Sequence, residues 1–368
     1  MSSSIKSTAL ESDKSLDGEA VSVAQRIGRA MPVYGLVVLT VALALLFSVL
    51  LPDTFPTLFN LRAILADKSV IALLALAATI PMITGKIDLT VGYGIVLWHI
   101  LAISLQTQLG LPWPVAVLVV LLCAALFGVL NGLLVELAQI DSFIATLGTG
   151  TVIYAVAMWH SGGRQVVGEL PDGFVGIAGG NLLGLPVGAF YVLAVSVTLW
   201  VVTEFTPLGR ALYVIGANPK AAQLNGIAVR KHVMGAFVAS GLLSGFAGVL
   251  LASRLQIGQA SVGLEFLLPA LVGAFLGSTT IRPGRVNVWG TLVGVAILAI
   301  GISGIQQFGG AFYVEPLFNG LTLLVSIGIA GWAQQRRNRS IKRRIAERQL
   351  DQAEPMAQAQ PVSPAPSK

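Results

Sequence analysis

The sequence predicts an all-α polytopic membrane protein of about ten transmembrane helices, some short or broken, with both termini in the cytoplasm. Three observations carry that prediction. Of 368 residues, 55% are hydrophobic and only 11% charged, with a mean hydropathy of +0.81, whereas soluble domains carry about 25% charged residues. The few charges are clustered, so long stretches contain none. The basic residues, finally, fall mostly on alternate connections. A soluble enzyme of this size would need a charged shell, and a disordered chain would hold far less apolar side chain. The 41 glycines have no triplet period and there is a single cysteine, so collagen-like and disulfide scaffolds are excluded.

A membrane helix needs about 20 apolar residues, and it must be helical because lipid offers backbone groups no partner. Stretches without Asp, Glu, Lys or Arg run over 30–52, 69–85, 89–135, 142–163, 173–203, 232–253, 266–281, 286–314 and 316–335. The third is too long for one helix. Gln106-Thr107-Gln108-Leu109-Gly110, with Pro112 and Pro114, supplies a turn inside it, so nine windows give ten spans. The windows 69–85 and 266–281 are the shortest and point to interrupted spans. Thirty polar residues precede the first apolar run and no small-residue cleavage site follows it, so the first span reads as an uncleaved anchor. Trp98, Trp113, Trp159 and Trp332 fall near expected span ends, where aromatic belts form. Gly241-x-x-x-Gly245 reads as a helix-packing seam, and Cys123 as a packed thiol.

Orientation follows from the basic residues. An even number of spans puts both tails on one side. With the tails inside, the cytoplasmic segments hold 19 of the 23 Lys and Arg, leaving Arg62, Lys68, Arg164 and Arg254 outside. The net charge of +6 is therefore a topology signal and not a nucleic-acid signal. The chain divides into a polar cytoplasmic tail (1–30), a transmembrane domain (31–333) and a basic, then low-complexity cytoplasmic tail (334–368).

Two connections are long. The outer one, about 162–186, is Gly-rich. The inner one, 204–232, contains Gly216-Ala217-Asn218-Pro219-Lys220-Ala221-Ala222-Gln223-Leu224-Asn225-Gly226. Asn218 suits an N-cap and Pro219 the first helical position, while Gly226 suits the closing position. The product is a helix of about two turns on the cytoplasmic surface. Such a short, mostly uncharged helix makes sense docked into a groove on another protein; an ordinary linker is the other reading.

Five motifs, in order from residue 84 to 294, resemble the permease subunit of monosaccharide ABC importers of the ribose/xylose/arabinose type. They are Thr84-Gly85-Lys86-Ile87-Asp88-Leu89-Thr90-Val91-Gly92, Phe127 to Gly132, Phe143 to Thr149, Gly216 to Gly226 with the Ser240 to Gly248 segment after it, and Arg285 to Gly294. Position 86 is Gly in the family pattern and Lys here. The resemblance implies a pair of permeases (identical or paralogous) in a bacterial plasma (inner) membrane, two cytoplasmic ABC ATPase subunits, and an external or periplasmic sugar-binding protein that delivers solute to outer loops including 254–266. Gly216, Asn218, Pro219, Ala221, Ala222, Leu224 and Gly226 would then form the helix that couples to the ATPase. The chain lacks the phosphate-binding loop G-x-x-x-x-G-K-[ST], so ATP hydrolysis belongs to another chain. This chain is a transport subunit, without cofactor or metal and not an enzyme.

Candidate pathway residues are Thr84, Lys86, Asp88, Asn131, Thr146 and Thr149. Glycines and Asp88 in apolar surroundings read as a broken helix lining a cavity, with Lys86 and Asp88 neutralising each other. The competing reading puts both at the cytoplasmic interface. Uncharged Asn131, Thr146 and Thr149 suit a hydroxyl-rich solute, and equally suit bonds between helices. His99 and His160 read as satisfied packing groups. Two other functions are weighed: a branched-chain amino-acid ABC permease, and an ion-coupled secondary sugar carrier. The carrier should hold acidic groups in mid-span, and Asp88 alone approaches that.

Overall fold

The computed structural model describes residues 23–310, 313–325 and 328, and within them the chain is almost wholly helical. Helix α1 spans Val23–Leu50, starting within the expected tail. Then follow α2 (Leu58–Ile83), α3 (Thr90–Thr107), α4 (Trp113–Glu136) and α5 (Ser142–Ser161). Polar residues between the apolar windows set several starts. Thr57 accepts from Asn60 N at 3.1 Å to cap α2, and Asp141 accepts from Phe143 N and Ile144 N at 3.0 and 3.3 Å to cap α5. Each satisfies amides that a helix start leaves open.

The window 173–203 is not one span. It divides into the eight-residue α6 (Asp172–Gly179), a two-stranded antiparallel hairpin (β1 Asn181–Leu182, β2 Leu185–Pro186) and the long α7 (Val187–Phe205). Gly180, Gly184 and Pro186 stop the helix where charge counting saw only apolar chain. Beyond α7 lie α8 (Pro207–Ala217), α9 (Pro219–Leu224), α10 (Val229–Leu255), a 3-10 turn at Leu264–Phe266, α11 (Leu267–Gly277), α12 (Val288–Gln307) and α13 (Val314–Val325).

Seven of these helices are long and apolar enough to cross a membrane: α2, α3, α4, α5, α7, α10 and α12. Shorter apolar helices occupy Tyr34–Leu50, Leu264–Gly277 and Val314–Val325. By length and composition the described residues thus give seven spans where ten were expected. The window 69–85 was short for a reason other than interruption: α2 extends to Leu58 and carries Arg62, Asp67 and Lys68 within the helix. At 11 residues, α11 is short in fact, spanning roughly 17 Å at 1.5 Å per residue.

Helix α3 lies at the centre, enclosed by α2, α4, α5 and α10. The α4–α10 contact is the seam expected from Gly241 and Gly245, and it is small-sided on both helices. A side chain at Gly128 would stand 2.5 Å from Phe237 O, and one at Gly241 would overlap Ala124 O. Trp98 is not at a span end. It is buried in mid-α3, edge-on to Phe127 at 6.3 Å between centroids, whereas Trp159, near the end of α5, is 82% exposed. Trp332 lies outside the described residues. His99 is fully buried and satisfied: Gln259 N donates to Nε2 at 3.1 Å, which leaves Nδ1–H to donate to Ile95 O at 2.9 Å.

Candidate functional site

The chain breaks between α2 and α3, at Thr84 to Leu89, and the break is threaded with hydrogen bonds. Thr90 N donates to Asp88 Oδ1 at 2.9 Å, Thr90 Oγ1 donates to the same oxygen, and Ser240 Oγ of α10 donates to Asp88 Oδ2 at 2.7 Å. Asn131 Nδ2 of α4 donates to Thr90 Oγ1 at 3.0 Å, and Thr149 Oγ1 of α5 donates to Asn131 Oδ1 at 2.7 Å. Leu89 N donates to Thr146 Oγ1 at 3.1 Å, Ile87 N to Ser142 Oγ at 3.1 Å, and Ser244 Oγ to Val91 O at 2.9 Å. Helices α3 and α10 meet at one carboxylate, and α4 and α5 join it through Asn131 and Thr149. Asp88, Asn131 and Thr146 are buried at 1%, 0% and 0% exposure, and their polar atoms are taken up by protein partners. Thr84 is buried too, its hydroxyl donating to Pro81 O at 2.7 Å.

Lys86 and Asp88 do not neutralise each other. Lys86 is half-buried and pairs with Glu136 Oε1 of α4 at 3.7 Å, while Asp88 turns inward to hydroxyl and amide donors. Gly85, with φ +78°, turns the chain just ahead of both residues, and the non-helical Lys86–Leu89 stretch that follows sends the two side chains to different environments. Lys86 and Glu136 border a cavity of about 660 Å³ that is also lined by Lys220, Gly226, Arg230 and Lys231. This pair therefore belongs to the surface around α9.

The inner connection holds two helices rather than one. Thr206 caps α8, accepting from Gly209 N at 3.3 Å. Asn218 ends α8 and caps α9, its Oδ1 accepting from Ala221 N at 3.0 Å, with Pro219 in the first helical position. The close of α9 is a paired-bond stop: Ile227 N reaches Ala222 O at 3.1 Å and Gly226 N reaches Gln223 O at 3.0 Å, with Gly226 at φ +80°. Ala222 is fully buried among Val135, Ala145, Ile215, Val233 and Phe237, which anchors α9 to the bundle. Asn218, Pro219, Lys220 and Gln223 are exposed, and Leu224 is 88% exposed. Gly216 lies against the end of α2, where an added Cβ would overlap Ile83 O. Ala221 is half-buried.

A second clamp was not visible in the sequence. Arg285, in the last motif, stacks 3.3 Å from the centroid of Tyr213 on α8, and Tyr213 OH donates to Val286 O at 3.0 Å. Burial pushes the Tyr213 phenol up, with Arg285 opposing. Nearby, Arg282 pairs with Glu204. Asn287 caps α12 through Gly290 N at 2.8 Å, and its amide donates to Gly277 O and Thr280 O at 2.7 and 3.0 Å. Among the described residues no group of three His, Cys, Asp or Glu is placed to hold a metal ion.

Apolar spans around a buried polar junction, with a capped helical hairpin at one end, define a polytopic membrane protein. The model of the branched-chain amino acid transport system / permease component family matches residues 60–330, and the chain belongs to that family. It is 31% identical over 305 residues to the ribose import permease protein RbsC of Haemophilus influenzae, covering 82% of this chain and 94% of that one. It is 32% identical to the Bacillus subtilis ribose import permease protein, covering 83% and 92%. The autoinducer 2 import system permease protein LsrD of Escherichia coli K12 is 30% identical, with coverage of 74% and 84%. No solved structure matches the chain. The resemblance carried by the five motifs holds: this is a permease of the monosaccharide ABC importer type and not an enzyme, a multi-pass protein of the bacterial plasma membrane.

Proposed function

We propose that the chain is the membrane-spanning subunit of an ATP-driven, binding-protein-dependent importer of a monosaccharide or related polyol. It draws its power through α9 from ABC ATPase subunits on separate chains and binds no cofactor itself. The observation that carries this reading is the near full-length match to two ribose import permeases, joined to a capped α9 whose outer face is free of the bundle. Branched-chain amino acids, the solutes in the family's description, are the second reading. The sugar relatives favour the first, and the ligand of the cognate binding protein separates them.

Two copies, or this chain and a paralogue, enclose the pathway, with both tails and α8–α9 on the cytoplasmic side. The charge pattern supports that orientation. Lys86, Arg282 and Arg285 meet Glu136, Glu204 and Tyr213 around α8–α9. Arg62 and Arg254, at the other helix ends, meet Gly184 O, Asp67 and Ala66 O. Gly216, Asn218, Pro219, Ala221, Ala222, Leu224 and Gly226 act in coupling, with Leu224 and Pro219 on the docking face, Ala222 as the anchor, and Gly216 as the contact to α2. Asp88, Asn131, Thr146 and Thr149 hold the break beside the pathway.

Leu224→Glu or Pro219→Glu tests the assignment. Either replaces an exposed residue of α9, so insertion and yield stay normal while the cognate ATPase is lost on co-purification. Normal ATPase stoichiometry with both variants would remove α9 from the coupling role.

A further inference from the structure

At the far end of the bundle from α8–α9 lies a cavity of about 810 Å³ with polar side chains set in a largely apolar wall, within the range of about 300–1,000 Å³ usual for small-molecule sites. Its walls are the start of α2 and the ends of α10 and α12. Helix α2 fixes its position. The Asn60 to Lys68 segment lines the cavity, while Ile83, at the other end, meets Gly216. At 26 residues, α2 is roughly 39 Å long, enough to cross the hydrocarbon core of about 30 Å.

The chemistry of the walls is that of hydroxyl recognition. Asn60 Oδ1 accepts from Ser303 Oγ at 3.1 Å and from Gln307 Nε2 at 2.9 Å, forming a platform of amides and a hydroxyl. Gln307 Oε1 is buried and has no hydrogen-bond partner, which is rare for such an atom. Gln307 itself lines the cavity, so a hydroxyl donor that reaches its amide would supply the missing bond. Apart from Asp53 at the rim, the charged residues here are paired: Lys68 with Asp67 at 2.8 Å and Glu315 at 3.5 Å, and Arg254 with Asp67 at 3.1 Å. Within these pairs the opposite charges offset each other, and they still offer carboxylate acceptors and cationic donors at fixed positions. An ion gains little from such a ring, whereas a neutral molecule dense in hydroxyls can bond to every member of it.

We infer that this cavity, built on Asn60, Ser303, Gln306 and Gln307 and ringed by Asp67, Lys68 and Arg254, is the entry vestibule in which a polyhydroxylated solute first contacts the permease. The inference rests on the sugar-importer reading and adds a place to it. The vestibule accepts solute after release and is not the surface on which the delivering protein sits.

The test uses the complete importer, this chain with its cognate ATPase and binding protein, in vesicles supplied with D-ribose, D-xylose or L-arabinose one at a time. Exposed Ala63 lines the cavity, so Ala63→Cys in a Cys123→Ala background is labelled with a bulky membrane-impermeant maleimide. Expected is a fall of at least fivefold in sugar moved per ATP hydrolysed, with binding-protein-stimulated hydrolysis retained. Gln306→Ala and Gln307→Met give a several-fold fall in the same ratio without any adduct. An unchanged ratio in all three overturns the vestibule, including when uptake and hydrolysis fall together, because the cavity would then belong to the docking face. If the unaltered importer moves none of the three sugars, the sugar reading itself is withdrawn, and the vestibule with it.

Discussion

Gly216 is the point where the inner hairpin touches the transmembrane core, and a single methyl group tests that contact. A Cβ there would overlap the Ile83 carbonyl oxygen and lie 3.1 Å from its carbon and 3.3 Å from the carbonyl carbon of Thr84. All three are backbone atoms, which cannot swing aside as a side chain tip would. Gly216→Ala gains up to about 1 kcal/mol of helix propensity in α8. Against this stands an overpacking cost of about 1–3 kcal/mol, which reverses the sign in all but the mildest case. Gly235→Ala in α10 is the matched control: exposed and helical, with nothing within 4 Å of the added methyl, so only the propensity gain applies. In nanodiscs the melting midpoint of Gly216→Ala should fall by roughly 2–6 °C, and that of Gly235→Ala should hold or rise by a few degrees. Because the loss is local to the α8–α2 contact, ATP-driven uptake by Gly216→Ala should drop further than its midpoint does. A Gly216→Ala protein as stable as Gly235→Ala would refute the close packing of α8 on α2.

The buried junction and the Tyr213 clamp yield three further expectations. Asp88→Ala strands Thr90 N and Ser240 Oγ without an acceptor, at about 1–3 kcal/mol for each buried group. Asp88→Asn keeps one oxygen for Thr90 and turns an amide toward Ser240, so it should melt clearly above Asp88→Ala; equal melting would show that the negative charge, and not the bond pattern, matters. A double-mutant cycle of Asn131→Leu with Thr149→Val should give a coupling of about 0.6 kcal/mol, the usual size between membrane helices, and a coupling near zero would dismiss that bond. Tyr213→Phe keeps the ring under Arg285 and loses only the bond to Val286 O, whereas Tyr213→Leu loses the cation–π contact as well, worth about 0.5–2 kcal/mol. Leu should therefore be the more destabilised of the two in the same melting assay.

The α9 geometry was legible in the sequence because it is local. Asn218, Pro219 and Gly226 each act within four residues of themselves, so spacing alone specified cap, first turn and stop. The buried junction was legible only in part. Asp88, Asn131 and Thr149 stood out as polar groups in apolar surroundings, but Ser240, 152 residues beyond Asp88, lay in what read as a packing seam. The pairing of Lys86 with Asp88 failed because each finds a partner remote in sequence, Glu136 for the lysine and Ser240 for the carboxylate. The far cavity carries little charge signal in the sequence. Ser303, Gln306 and Gln307 sit inside the charge-free window 286–314, and Asn60 lies just ahead of 69–85. Charge counting also merged α6, the hairpin and α7, where backbone stops at Gly180 and Pro186 carry no charge to count.

Helices α2 and α10 touch both ends of the molecule, so under the proposed coupling role of α9 they are its link to the far cavity. Helix α10 begins at Val229 beside α9, bonds through Ser240 and Ser244 to Asp88 and Val91 in the middle, and ends with Arg254 on Asp67 in the cavity wall. Helix α2 runs from the Asn60 platform to Ile83 beneath Gly216. A helix is stiff along its axis, so a displacement at the inner end of either is delivered largely intact at the outer end. The Asp88 bonds oppose any sliding of α10 past the head of α3, because each ångström of slide stretches a 2.7 Å contact that has no water to replace it. Under that proposal, α8–α9 acts on the far cavity by tilting α2 and α10 about the Asp88 junction more readily than by translating them. In the packing between helices the small-sided α4–α10 seam at Gly128 and Gly241 leaves room for little else.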